Sequence, residues 1–254
     1  MKISIIGSGN VATWFAMAGF HEGCSVSQIY SRDLEHAKAC AEFCCATAID
    51  SLEKLTPDSD LYIFSVKDDC LQELVSLVPF KMALAVHTAG SVSQDIFKGY
   101  APHYGVLYPC QSISKTLDLI KLEVPLCVEG DNEETKETLM EMATYWSDKV
   151  VAVSEQQRFQ LHLAAVFACN FSNALYGIAY EQMKAAHLDW QLLTPLIENT
   201  ARKVRDVTPT EAQTGPARRG DETIMSQHLN SLTTPSLKQL YQMLSEEIKR
   251  QQTK

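Results

Sequence analysis

The chain has 254 residues and a formal net charge of −9, with 46% hydrophobic and 21% charged residues. This composition is typical of a globular protein with a full hydrophobic core and excludes a disordered chain. Nucleic acid is not an expected partner, because duplex binding needs a concentrated basic surface and the basic clusters here are short.

The eight cysteines form no CxxC pair, and the spacing of His and Cys does not fit zinc, so we expect no metal site. The first residues run directly into a strand-like segment, without the apolar stretch of a secretory signal. No apolar run approaches the roughly 20 residues that span a bilayer. We therefore expect a cytoplasmic protein with reduced thiols and no membrane contact.

Strand and helix patterns alternate over residues 1–153. Apolar runs predict strands at residues 2–6, 26–31, 46–49, 60–66, 84–87, 103–108, 124–128 and 150–153. Helical spacing predicts helices at residues 10–21, 34–45, 68–78 and 133–146. Asp131 and Glu134 predict a capping box at the start of the last of these helices. This alternation is typical of an α/β domain with a Rossmann-type, doubly wound parallel sheet.

Only helices are predicted after residue 153. Ser154 and Gln157 form a capping-box pattern at the start of a long helix that ends near Ala186. Two later helices open at Thr194-Pro195 and Thr234-Pro235, where proline suits a first helical position. We therefore predict an all-helical C-terminal domain over residues 154–254.

The first predicted strand ends in the motif Gly7-Ser8-Gly9-Asn10-Val11-Ala12, which matches G-x-G-x-x-A between a strand and a helix. In this context Gly7 permits the tight turn, and Gly9 lets the backbone approach a diphosphate. The helix then presents free N–H groups and its positive dipole end to the phosphates. The motif predicts a dinucleotide site; the alternative is a glycine turn without a ligand.

The second predicted strand ends at Ser31 and Arg32, where NAD-binding folds carry an acidic residue for the ribose 2′-hydroxyl. A hydroxyl and a guanidinium suit a 2′-phosphate, which favours NADP over NAD. Asp33 leaves the alternative open, since it takes the acidic role if the strand ends one residue later.

Ligands of doubly wound sheets bind outside the carboxyl ends of the strands. We therefore expect Val66 and Lys67 along the adenosine or ribose, and Thr88 and Ala89 beside the nicotinamide ribose. His87 is either part of that site or a strand-end histidine bonded to a neighbouring loop.

Four segments carry a specific resemblance. They are His87-Thr-Ala-Gly-Ser91, Tyr108-Pro-Cys-Gln-Ser112, His162-Leu-Ala-Ala-Val-Phe-Ala-Cys-Asn170 and Thr214-Gly-Pro-Ala-Arg-Arg-Gly-Asp221. With the glycine motif, they make the whole chain resemble a family of NADP oxidoreductase-like proteins that pair a Rossmann-like domain with a helical domain of unknown function. The family is related to pyrroline-5-carboxylate reductases and 6-phosphogluconate dehydrogenase-like proteins. The resemblance implies a homodimer formed through the helical domain, which closes over the nicotinamide.

The resemblance has one informative departure. β-Hydroxyacid dehydrogenases carry a Lys four residues before an Asn on the long helix, and here Val166 precedes Asn170. His162, one turn earlier, shares a helical stripe with Val166, Asn170 and Asn173 and would replace the lysine as proton donor. Asn170 would orient the substrate. The alternative is that both are satisfied polar groups between helices.

The glycine-rich loop of the helical half supplies the remaining candidates. Arg219 is predicted to anchor a substrate carboxylate or phosphate, with Asp221 beside it. The alternative is a rigid interhelix loop held by an Arg–Asp pair. The sequence thus predicts an NADP-dependent oxidoreductase that transfers hydride to or from a small carbonyl, hydroxyl or imine metabolite. The competing hypothesis is a non-catalytic NADP(H)-binding redox sensor or regulatory protein.

Overall fold

The computed structural model describes residues 1–116 and 118–252. It divides the chain into two compact units, Met1–Ala174 and Leu175–Lys254. The sequence predicts the domain boundary after residue 153, about one helix earlier. The difference arises because the helix that begins at Glu155 buries Arg158 among residues of the first unit.

One sheet of eight strands forms the centre of the first unit. Its strands are β1 (Lys2–Ile6), β2 (Ser25–Tyr30), β3 (Thr47–Ile49), β4 (Leu61–Phe64), β5 (Leu84–His87), β6 (His103–Pro109), β7 (Leu126–Gly130) and β8 (Val150–Ala152). Their order is β3-β2-β1-β4-β5-β6-β7-β8. The predicted doubly wound α/β fold is confirmed, with its switch point between β1 and β4.

The prediction that the whole sheet is parallel is wrong at one place. β6 and β7 pair in antiparallel fashion, from Gly105 opposite Gly130 to Pro109 opposite Leu126. The other neighbouring strands pair in parallel. The described residues between β6 and β7 form no crossover helix, so the chain turns back at the same end of the sheet.

Helices cover both faces of this sheet. They are α1 (Asn10–His21), α2 (Leu34–Ala41), α3 (Leu71–Ser76), α4 (Glu133–Ala143) and α5 (Glu155–Ala165), with short 3₁₀ turns at Leu52–Lys54, Asp68–Cys70 and Gln94–Phe97. The capping box predicted for Ser154 is confirmed. The cap predicted for α4 is off by one residue, because the Asn132 side chain accepts the Thr135 N–H at 2.9 Å.

The core explains why β4 reads as a continuous apolar run. Leu61 and Ile63 pack into one buried cluster with α1, whereas Tyr62 and Phe64 pack into a second cluster with α3. Side chains alternate between the faces of a strand, so both faces of β4 are covered.

The second unit consists of helices in its described residues, as predicted. After α6 (Ser172–Ala185), in which the division between the units falls, come a 3₁₀ turn at Trp190–Leu192, α7 (Thr194–Lys203), α8 (Pro209–Ala212), α9 (Pro216–Arg219), α10 (Glu222–Ser231) and α11 (Pro235–Gln252). Its buried side chains are few: Ala217 on α9, Met225 on α10 and Ser245 on α11.

The helix formed by residues Glu155–Ala185 is long and apolar enough to cross a membrane, judged by length and composition alone. Its most apolar 18-residue window has none of its residues buried. The expectation that no apolar run approaches the length of a span is corrected by this helix. Several of its apolar side chains are exposed, among them Phe159, Leu163, Phe167 and Phe171.

Candidate functional site

A cavity of about 1010 Å³ opens at the carboxyl ends of β2, β1, β4, β5 and β6. This is the place where doubly wound sheets bind ligands. It is lined by all the residues that the sequence assigns to a cofactor: Gly7, Ser8, Gly9, Asn10, Val11, Ser31, Arg32, Val66, Lys67, Thr88 and Ala89. The local motifs therefore converge on one elongated space.

The glycine loop has the shape that a diphosphate requires. Gly7 has φ +129°, and a Cβ there would overlap the Ser65 carbonyl oxygen, so the turn accepts only glycine. A Cβ built on Gly9 meets no atom within 4 Å, which leaves room for a ligand against the backbone. Gly9 begins α1 without a side-chain cap, so the first N–H groups of the helix face this space.

The far end of the cavity carries the groups suited to a 2′-phosphate. Ser31 and Arg32 line it, one and two residues beyond the end of β2. Asp33 does not line it; its Oδ1 instead accepts the Glu35 N–H at 2.9 Å and caps α2. The alternative acidic role of Asp33 therefore competes with its capping role.

A cation that the sequence did not flag lies on the glycine loop. The Nζ of Lys115 donates to the carbonyl of Ser8 at 2.9 Å. This brings a positive charge from the segment after β6 to the loop where a diphosphate would lie. No motif marks Lys115, because it is 107 residues away from Ser8 in the sequence.

The opposite end of the cavity holds a tyrosine–histidine pair. The Tyr108 hydroxyl lies 3.2 Å from His162 Nδ1, and the two rings meet edge to face at 5.9 Å between centroids. Both residues line the cavity. Burial, with Cys110 and Cys127 nearby, raises the pKa of Tyr108 to about 12. The phenol therefore stays protonated at neutral pH and is able to donate to the imidazole.

Gly90 makes room for this pair. A Cβ at Gly90 would lie 2.6 Å from both Cγ and Nδ1 of His162, far inside van der Waals contact. The His162 ring therefore rests directly on the backbone of the loop that follows β5. Only a residue without a side chain permits that contact.

A π turn at Val166–Phe171 shapes the part of the helix that faces the cavity. His162, Val166 and Asn170 line the cavity as the stripe predicts, but Asn173 is exposed and does not. A π turn holds one more residue than an α turn and so shifts the phase of the following helix. The predicted stripe assumed an unbroken α-helix, and this is why it fails at Asn173.

Arg219 and Asp221 belong to the second unit. Asp221 caps α10, its Oδ1 accepting the Ile224 N–H at 3.2 Å, and Arg219 is exposed at the end of α9. It is Arg218 that holds the loop together, by donating to the carbonyls of Gln213 and Glu211. The proposed anchoring role of Arg219 and Asp221 stays a prediction.

Sequence reasoning missed Lys115, and it named Tyr108 and Gly90 only as members of longer segments, without giving either a role in the site. Tyr108 had a usable signal, because it lies at the carboxyl end of β6, where the rule applied to β4 and β5 also holds. Gly90 and Lys115 depend on contacts between distant segments, for which the sequence offers no local pattern.

A doubly wound sheet with a glycine loop at its switch point and a helical C-terminal unit defines a Rossmann-type protein. The chain is similar along its whole length to the candidate NADP oxidoreductase BF3122 from Bacteroides fragilis, at 39% identity over 98% of both chains and a TM-score of 0.92. Residues 124–248 match the model of a domain of unknown function, DUF2520. The chain belongs to this family of NADP oxidoreductase-like proteins.

More distant structures share the fold. A 1-pyrroline-5-carboxylate reductase from Streptococcus pyogenes is 16% identical over 98% of both chains, with a TM-score of 0.64. An imine reductase from Myxococcus stipitatus, solved with NADP⁺, is 14% identical over 98% of this chain and 92% of its own, with a TM-score of 0.63. None of the curated proteins matches this chain.

Proposed function

We propose that this protein is an NADP-dependent oxidoreductase that transfers hydride between NADP(H) and a small carbonyl, hydroxyl or imine metabolite. The observation that carries the proposal is the single cavity that runs from Ser31 and Arg32, past the glycine loop, to Tyr108 and His162. The described relatives that bind NADP or reduce imines share this fold and support the same class of reaction.

The chain's own residues would hold the nucleotide along the cavity. Ser31 and Arg32 would bind the 2′-phosphate, and the α1 N-terminus with Lys115 would bind the diphosphate. The nicotinamide, when bound, supplies or accepts the hydride, and the protein orients it and moves the proton.

His162 would be the proton donor to the reduced oxygen or nitrogen. In the protonated ring, Nδ1–H donates to the Tyr108 hydroxyl oxygen and Nε2–H is free for the substrate; once that proton passes to the reduced oxygen or nitrogen, the neutral imidazole keeps its Nδ1–H on Tyr108. Imidazole is the side chain that most often serves as a general acid, whereas the raised pKa of Tyr108 does not suit its hydroxyl to that role. Tyr108 therefore orients the ring, and Asn170 lines the substrate side of the cavity.

The proposal is tested by binding and turnover. We expect calorimetry to show that the protein binds NADPH, and a panel of small carbonyl and imine compounds to include one that oxidises it. His162→Gln should leave NADPH affinity within about twofold and slow turnover by about 100-fold or more. Absence of NADPH binding to the wild-type protein would refute the proposal.

Coenzyme preference has its own test. Ser31→Asp combined with Arg32→Ala should weaken NADPH binding and improve NADH binding relative to it, because a carboxylate repels the 2′-phosphate and accepts the 2′-hydroxyl. An unchanged ratio of the two dissociation constants would remove both residues from the site.

A non-catalytic NADP(H) sensor is the second candidate. It is favoured by Val166, which lines the cavity where similar dehydrogenases carry a lysine. Under this alternative, NADPH binds but no compound of the panel is turned over, and His162→Gln changes nothing.

We further propose that the protein acts as a homodimer. The helix face formed by Phe159, Leu163, Phe167 and Phe171 is exposed, with Phe167 62% exposed. Apolar patches of this kind mark interfaces, and a second copy of the chain is the occupant consistent with the family resemblance.

A further inference from the structure

A buried ion pair lies next to the proposed site without lining its main cavity. Arg158 on α5 is 0% exposed and Glu129 on β7 is 4% exposed, with Arg158 Nε donating to Glu129 Oε1 at 2.5 Å. The remaining guanidinium nitrogens are also engaged. Nη1 donates to the Ala89 carbonyl at 2.9 Å and Nη2 to the Val92 carbonyl at 2.8 Å. One side chain thus joins β7, α5 and the loop after β5.

Stability alone is a weak explanation for such a pair. Burying two charges carries a desolvation penalty, and replacing buried ion pairs by apolar residues is often neutral or stabilising. The geometry offers a more specific explanation, because a planar guanidinium fixes the directions of the carbonyls that it binds.

Those carbonyls belong to the loop that would face the nicotinamide. Thr88, Ala89 and Gly90 line the cavity on the β5 side, away from the adenosine end at β2. Both backbone polar groups of Ala89 are bonded. Its carbonyl accepts from Arg158, and its N–H donates to His87 Nδ1 at 3.2 Å.

The same loop sets the position of His162. The His162 ring rests against the Gly90 backbone, where a Cβ would lie 2.6 Å from the ring. Arg158 and His162 are four residues apart on α5, so they lie on the same side of the helix one turn apart. Arg158 therefore fastens α5 to the loop directly beside the point where His162 meets it.

We propose that the Arg158–Glu129 pair is a positioning device that holds residues 88–92 and the His162 ring in the arrangement needed for the nicotinamide end of NADP(H). This inference rests on the proposed function. Neither residue touches the reacting atoms; both act through the loop and through His162.

The test compares two ligands on the full-length protein. NADPH occupies both ends of the cavity, whereas adenosine 2′,5′-bisphosphate occupies the adenosine end alone. The double variant Glu129→Gln/Arg158→Met removes the ties to the loop without leaving a buried charge. We expect it to bind NADPH about tenfold more weakly and the bisphosphate within about twofold of wild type.

Local order gives a second readout. In the double variant, hydrogen exchange of the amides of residues 89–92 should accelerate more than exchange in β1 and β4, and the His162 ring resonances should shift. Arg158→Lys keeps the charge and one donor group. Its exchange at residues 89–92 and its His162 resonances should therefore lie between those of the double variant and those of the wild type. This variant also serves as the test protein if the double variant does not fold. Arg202→Gln, on the surface of α7, is the matched control.

The outcomes of these experiments distinguish failure of the positioning role from failure of the proposed function. Equal weakening of both ligands, or wild-type NADPH affinity together with wild-type exchange at residues 89–92, would overturn the positioning role. If the wild-type protein binds neither ligand, the proposed function fails. In that case the exchange and the His162 resonances still decide whether the pair orders the loop.

Discussion

The buried side chain of His87 makes the stability of the protein depend on pH. It is fully buried at the end of β5, and its Nδ1 accepts the Ala89 N–H. Burial, reinforced by the nearby charge of Arg158, lowers the pKa of His87 from 6.5 to about 3. The folded protein therefore holds this imidazole neutral, which answers the question left by the sequence: His87 is a strand-end histidine bonded to the loop.

This shift predicts acid sensitivity. As pH falls below 6.5 the unfolded chain gains a proton at His87, while the folded protein does so only near pH 3. Stability from this group is thus present above pH 6.5 and is lost progressively between the two values. Between pH 7 and pH 5 the free energy of unfolding should fall by about 2 kcal/mol through His87.

Urea denaturation at both pH values measures the effect. His87→Asn keeps an acceptor near the Nδ1 position and cannot titrate, so its loss of stability over this range should be smaller by that amount. His21→Gln, which replaces an exposed histidine, should behave like wild type. Equal losses in His87→Asn and wild type would show that His87 does not titrate as described.

At the level of elements, the contact of Gly90 with the His162 ring is one of the links between the loop after β5 and α5, beside the hydrogen bonds of Arg158. Gly90→Ala should destabilise the protein by about 1–3 kcal/mol, because the added methyl group has no space. In a His162→Ala background the ring is absent and only the Cβ at 3.0 Å remains, so the cost should drop by about 1 kcal/mol or more.

A double-mutant cycle in urea tests this coupling. Gly177→Ala on α6 is the control; its Cβ would meet no atom within 4 Å, so alanine should be neutral or stabilise the helix by up to about 1 kcal/mol. Additive effects of Gly90→Ala and His162→Ala would contradict the contact.

The elements also show what the sequence reveals. β1, α1 and β5 have the predicted bounds because glycines and apolar runs mark them locally. The glycine loop and the Ser31-Arg32 tip were predictable for the same reason. The Tyr108–His162 pair joins residues 54 positions apart, and the π turn leaves no pattern in composition, so neither follows from local rules. The antiparallel β7 depends likewise on where a connection turns back.

At the scale of the whole molecule, α5 and the π turn carry an apolar face that is exposed to solvent. Phe159, Leu163, Phe167 and Phe171 recur every four residues, and the rings of Phe167 and Phe171 meet edge to face at 5.0 Å. A membrane is a poor occupant, because Arg158, His162 and Asn170 lie on the same helical segment and would carry polar groups into lipid. A second copy of the chain covers the apolar face and leaves His162 and Asn170 facing the cavity and Arg158 in its ion pair with Glu129.

Sedimentation tests this assignment. The wild-type protein should sediment as a dimer at micromolar concentration, and Phe167→Glu should weaken the dimer by about 30-fold or more, since losing a central aromatic anchor costs about 2 kcal/mol. Phe43→Glu, which changes another exposed phenylalanine outside this face, is the control and should leave the dimer intact. A monomeric wild-type protein would refute the homodimer. Binding of that monomer to phosphatidylcholine vesicles, abolished by Phe167→Glu, would assign the face to a membrane instead.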